Sequence, residues 1–340
     1  MKLIERMALA TGVLILNVAC QAPTPGEDAG KSTQRATTAT PAEDAGKAMQ
    51  GVDRARYLLD IYYGDRKLLD EAQRILETEM ARAPANADAY VQAARVAMNL
   101  GYVMGDTYRP GTLGPASELL AKAVALNPKN ADAHLLRSEV YDGQGDYEKQ
   151  MRAMQDVWAI DSSSSWALYD FGKYCTNVRN SCDHLYYSQV VKLGPGTSPR
   201  QQRMYVMALH SLAAFRPGPG DPTLDDLANT AMQAKYATDA WTPGNFAMEF
   251  FFHGRYEDAA SYARSALKIM SYGGARLTLA ASLYGRAAQL FDENNAAEAS
   301  KYALEAKAMG FAPPSILSYF GRNGGEAGQK LMPTLVTVVK

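Results

Sequence analysis

The sequence predicts an all-α solenoid of about six or seven helical hairpins, on the strength of three observations. A 34-residue spacing relates Ala116 to Gln150, which stand at equivalent points of two hairpins, each preceded by its own helix and turn. Small residues recur at the point in the second helix where backbones must approach: Ala72, Ala116, Ala259 and Ala299. One turn later on the same face come Leu76, Leu120, Met154 and Ala263. Pro84 and Pro128 end two hairpins, because proline cannot continue a helix, and an asparagine follows each. One such hairpin cannot bury its own apolar face, so neighbours must stack into a continuous core.

The unit from Ala133 to Ser162 holds Tyr141, the turn Gly145-Asp146-Tyr147-Glu148, then Met154, Val157 and Asp161 in the order that the tetratricopeptide repeat uses for packing and turning. From about residue 50 onward the chain resembles that family. A second good match is Phe250 to Leu267, where Gly254-Arg255-Tyr256-Glu257-Asp258-Ala259 repeats the turn. Ala83-Pro84-Ala85-Asn86 and Asn127-Pro128-Lys129-Asn130 resemble the turn between repeats, and Ile160-Asp161-Ser162-Ser163 is a third copy without its proline. The family's aromatic near the start of the first helix is matched by Tyr90, but Arg56, His134 and Leu168 occupy that place elsewhere. Gln150 and Glu79 stand where small residues are expected. The resemblance implies a concave groove lined by the first helix of each hairpin, able to take a peptide or protein partner. Carried over by position, its lining is Tyr57, Ile61, Val91, Arg95, Leu135, Glu139, Trp166, Tyr169 and Lys173. Aromatics with a few charges suit peptide capture, although aromatics at helical spacing also serve as core.

The amino terminus sets the expected compartment. Lys2 and Arg6 precede an apolar run, Met7 to Leu16, too short to span a bilayer, and Ala19 stands before Cys20. This resembles a bacterial lipoprotein signal, which implies cleavage after residue 19 and fatty acylation of Cys20, with palmitate among the acyl chains. The competing reading is an ordinary secretory signal with Cys20 incidental. Gln21 in place of aspartate resembles lipoproteins sorted to the outer membrane, facing the periplasm. Residues 20–48 are rich in Ala, Thr, Pro, Gly, Asp and Lys and carry near copies, Glu27 to Lys31 and Glu43 to Lys47, so they read as a disordered tether. About 28 such residues reach roughly 30 Å on average. The expected organisation is therefore signal 1–19, tether 20–48, solenoid 49–312, and a cap or tail over 313–340.

Composition fits a helical body: 47% hydrophobic and 21% charged residues, with net charge −1. Loss of Lys2, Glu5 and Arg6 with the signal leaves −2, so no basic excess draws in nucleic acid, and none is expected as a partner. Motifs for zinc, a serine nucleophile and a phosphate loop are absent from the sequence. His134, His184, His210 and His253 are the only histidines, and no cofactor, metal or catalytic residue is assigned. Asp70-Glu71, Asp225-Asp226 and Glu257-Asp258 read as first-turn carboxylates, and Gly273-Gly274 and Gly324-Gly325 as turns. Two interruptions stand out. Gly101 to Pro115 lengthens the link inside the second hairpin by about ten residues relative to a short helical turn, and Arg216 to Pro222 precedes a helix capped by Thr223 or Asp221. Cys175 and Cys182 fall at facing helix ends and, in an exported chain, read as a disulfide; free thiols or a site completed by His184 are the alternatives.

The function expected is a lipid-anchored periplasmic scaffold that binds partner proteins, as in assembly of an envelope complex. The alternative is a cell-wall or polysaccharide-acting enzyme with its site within 174–245, which a polar cleft with converging acids would favour.

Overall fold

The computed structural model describes residues 49–104, 107–178, 182–214, 221–311 and 316. The expected signal, Cys20, the tether and, apart from Ile316, the tail over 313–340 lie outside the described residues, as does Gly324-Gly325. Everything described belongs to one compact unit, Pro41–Lys340.

Fourteen helices among the described residues pair into seven hairpins. They are α1 (Gly51–Asp60) with α2 (Arg66–Arg82), α3 (Ala87–Gly101) with α4 (Leu113–Leu126), and α5 (Ala131–Gln144) with α6 (Tyr147–Ile160). Next come α7 (Ser165–Asn177) with α8 (Asp183–Leu193) and α9 (Pro199–Ala213) with α10 (Leu224–Ala234). The last two pairs are α11 (Trp241–Phe252) with α12 (Tyr256–Ile269) and α13 (Gly273–Asp292) with α14 (Ala296–Ala308). Each helix packs on its neighbours in the chain, so the apolar core runs as a ladder along the array. Three apolar clusters make up that ladder, and α3 and α9 each contribute to two of them.

Turn chemistry explains where the helices begin. Asn86 caps α3 by accepting from the Asp88 amide, and Asn130 caps α5 by accepting from the Ala133 amide at 3.0 Å. In the third copy, without proline, Ser164 takes the capping role for α7. Gly145 adopts φ +71°, which lets the Asp146 amide reach back to the Tyr141 carbonyl at 2.9 Å. Gly254 repeats this with Arg255 and Phe250. Asn294 repeats it again at φ +61°, with the Asn295 amide on the Leu290 carbonyl, a third hairpin turn hidden from a search for glycine because asparagine also tolerates that backbone.

The alanines at the predicted crossings are sealed: Ala72, Ala116 and Ala259 are fully buried and Ala299 nearly so. Leu76, Leu120, Met154 and Ala263 are buried beside them, and Gln150 fills the remaining place at 2% exposure. A tight approach also shapes the fourth hairpin, where a Cβ on Gly172 would lie 2.4 Å from the Tyr187 ring, so that only glycine lets α7 and α8 close. Phe171 stacks on Tyr186 in the same hairpin, and the Cys175 and Cys182 sulfurs lie at bonding distance, 2.09 Å, joining the facing helix ends.

Three readings are corrected. Asp70 and Glu71 are past the first turn of α2; they pair instead with Arg66 and Arg54. Gly273-Gly274 opens α13 rather than forming a turn. The long link in the second hairpin is a small antiparallel ribbon, β1 (Tyr102–Met104) with β2 (Thr107–Tyr108), not a bare loop. The Arg109 amide closes its base on the Gly101 carbonyl at 2.9 Å, and Tyr108 lies against Gly143 of the next hairpin.

His134 is a substitute for the repeat's aromatic. Tyr90 donates its hydroxyl to the Pro84 carbonyl at 3.1 Å, and the His134 Nε2 lies 2.9 Å from the Pro128 carbonyl, each reaching six residues back to hold a turn. Because a carbonyl only accepts, Nε2 carries the proton. We expect His134→Ala to lower unfolding free energy by about 1 kcal/mol, the usual net worth of a hydrogen bond, and His134→Tyr to keep most of it in urea titrations. Non-reducing mass spectrometry is expected to show linked Cys175 and Cys182 peptides, and reduction to lower stability by about 2–3 kcal/mol through the released loop.

Candidate functional site

The first helices of five hairpins converge on a buried polar cluster. Asp60 Oδ1, at the end of α1, accepts from Arg95 Nη2 at 2.8 Å and from Arg200 Nε at 3.3 Å. Arg200 Nη1 donates to Asp132 at 2.8 Å, and its guanidinium lies over the Trp166 ring, 4.6 Å from the centroid. Thus α1, α3, α5, α7 and α9 each contribute one of these groups. Burial alone would raise the Asp60 carboxyl, but Arg95 and Arg200 hold it below its ordinary value. Its contribution to stability is present above the ordinary carboxylate range and is lost as pH falls through the lowered value.

The end of α1 also closes the array on itself. Tyr57 meets Tyr236, 179 residues away, hydroxyl to hydroxyl at 3.1 Å. Tyr62 and Tyr63 meet the Trp241 ring edge-on, and Arg203 lies beside both Tyr63 and Trp241 at 4.9 and 5.0 Å from their centroids. Asp239 fixes Trp241 by accepting from the amides of Trp241 and Thr242.

This closure corrects the expectation of an open groove. Val91 and Leu135 are core residues at 0% and 1% exposure; Tyr57, Arg95, Trp166 and Tyr169 are buried at 8–9%. Ile61, Glu139 and Lys173 are part-buried. Structure brings Tyr57, Arg95 and Trp166 to the polar cluster or its seam, while Tyr169 packs against Tyr187. Sequence position found these residues but not Asp60, Asp132, Arg200, Arg203 or Trp241, which become neighbours only through curvature of the whole array.

A second polar group follows along α5 and α7. Trp166 Nε1 donates to Glu139 at 2.8 Å, Lys173 pairs with Asp142 at 3.2 Å, and Ser138 donates to buried Asp170 at 3.3 Å. Burial, with Glu139 nearby, raises the Asp170 carboxyl well above its ordinary value. Within 174–245 a cavity of about 700 Å³ lies between α8, α9 and α10. Val191, Leu209, Leu212, Leu224 and Leu227 line it together with His184, His253, Asp221 and Asp226, and the Asp226 carboxylate is engaged in capping α10 through Thr223. No group of three or more potential metal ligands occurs among the described residues, nor any helix long and apolar enough to cross a membrane.

The raised Asp170 carboxyl gives a pH test with a definite sign. A group whose folded value is raised stabilises the fold below its unfolded value and loses that contribution as pH rises through the folded one. Asp170→Asn, which keeps the acceptor for Ser138, is expected to raise the melting temperature at pH 7.5 and to give little gain at pH 4.

The sequence matches no protein-family profile and no curated protein. Solved structures resemble it in fold. Human IFIT1, a dimer with m7Gppp-AAAA, superposes with a TM-score of 0.52 at 16% identity, over 85% of this chain and 69% of that one. PilF of Pseudomonas aeruginosa gives 0.46 at 16% identity, over 74% and 99%. A tetratricopeptide repeat protein from Parabacteroides merdae gives 0.40 at 14% identity, over 83% and 98%. With fourteen described helices stacked as seven successive hairpins, the chain has the tetratricopeptide-type helical solenoid fold.

Proposed function

We propose that the protein is a scaffold that binds a partner protein or peptide on the inner face of its solenoid, held to the bacterial envelope by a lipid on Cys20. The observation that carries this reading is the convergence of Asp60, Arg95, Asp132, Trp166 and Arg200 from five separate first helices. Apolar packing would stabilise the centre of such an array at least as well as buried ion pairs, so a purely structural need does not account for them. Charged and aromatic groups on rigid helices set register and supply contact area for a bound chain. The anchor rests on Lys2, Arg6, the run Met7 to Leu16, Ala19 and Cys20. Gln21 in place of aspartate supports an outer-membrane, periplasm-facing location, and a lipid anchor joined to a repeat solenoid supports a part in assembling an envelope complex. A net charge of −1 argues against nucleic acid as the partner. Two carboxylates, Asp221 and Asp226, line the cavity between α8, α9 and α10, but Asp226 is engaged with Thr223 in capping α10, and we assign no catalytic activity.

Two measurements test the two halves separately. Cys20→Ser is expected to move the folded protein from the membrane fraction to the soluble periplasm, and unchanged membrane retention defeats the anchor. A photo-crosslinking amino acid at Ile61 is expected to give discrete protein adducts in cells that the same group at exposed Arg152 on α6 does not; equal adducts at both positions, or none at Ile61, defeat inner-face binding.

A further inference from the structure

We propose that the first hairpin is a gate: α1 and α2 swing as a unit about the joint with α3, and the Asp60 contact to Arg200 is the latch that holds the inner face closed. The proposal rests on inner-face binding for its purpose, but the movement is a property of the protein alone.

Two features of the seam point to it. The joint and the closing face differ in kind. Toward α3 the first hairpin shares an apolar cluster that includes Ala55, Leu58, Leu59, Leu69, Ala89 and Val96. Across the inner face it meets α9, Tyr236 and Trp241 through one shared carboxylate, a pair of hydroxyls, ring edges and a guanidinium beside two rings, with the Met270 side chain against Gly64. None of the residues in its apolar cluster comes from α9 or later. The closed arrangement is also incompletely paired: at the closing face Tyr63 Oη and Arg200 Nη2 are buried without a protein hydrogen-bond partner. A buried polar atom without a partner raises the energy of the state that buries it. The apolar joint therefore holds while the polar face separates. Opening would bring Arg95, Arg200 and Trp166 into the solvent together, which is the set a partner must reach.

Spin labels at Gln73→Cys on α2 and Ser261→Cys on α12, in the full chain carrying Cys20→Ser, report the gap by pulsed electron resonance. Both sites are exposed. The unmodified seam is expected to give one dominant distance. Asp60→Asn, and independently Arg203→Gln, which removes the cation beside Tyr63 and Trp241, are expected to raise the fraction at a longer distance about fivefold or more. Asp53→Asn, which removes an exposed carboxylate of the same hairpin that pairs with Arg56 within α1, is expected to leave the distance unchanged. An unchanged distribution in both seam variants overturns the gate, as does lengthening that comes with loss of helical circular dichroism, because that is unfolding of the hairpin. Opening without any partner adduct from Ile61 leaves the gate standing and defeats the binding reading instead.

Discussion

Backbone approach at Ala72, Ala116, Ala259 and Ala299 governs everything else in this molecule. Each alanine lets the second helix of a hairpin lie against its neighbours with no side chain between, and Leu76 and Leu120, one turn on from Ala72 and Ala116, fill the flanks there. A bulkier residue at any of these points would splay one hairpin and change the curvature of all that follow. Gln150 shows the tolerance of the scheme: a long polar side chain is accommodated at 2% exposure, in the unit with the most complete turn.

From that curvature comes the polar centre. A solenoid with a wider pitch would keep Asp60 and Arg200 apart and leave the inner face open. Here the array bends far enough for the last residues of α1 to reach α9, and charges that would otherwise face water must find one another. The buried ion pairs are thus a weak source of stability, since desolvation offsets much of their attraction.

The ladder was legible in the sequence because its signals are local. Prolines, capping asparagines, left-handed glycines and small residues at a fixed spacing each act within one hairpin, so Ala133 to Ser162 could be placed residue by residue. Cys175 and Cys182 were legible for the same reason, being separated by one short turn. The last hairpin was fainter, as Asn294 did the work of a glycine. The closure was not legible. Whether Val91 and Leu135 face solvent or core depends on the summed rotation of several hairpins, and no pairwise spacing encodes that sum. Trp241 and Asp239 likewise gain meaning only from Tyr63, which is far away in sequence.

The meeting of Tyr57 with Tyr236 changes how the array holds together as a thermodynamic object. A linear stack couples only adjacent units, so its stability is a sum over neighbours and its ends are independent. A contact spanning 179 residues adds a term that joins the first hairpin to the turn before α11 without passing through the hairpins between. The stretch from the first hairpin to that turn becomes a closed circuit, in which loss of the first hairpin is felt at the turn and cooperativity exceeds what neighbour coupling alone provides.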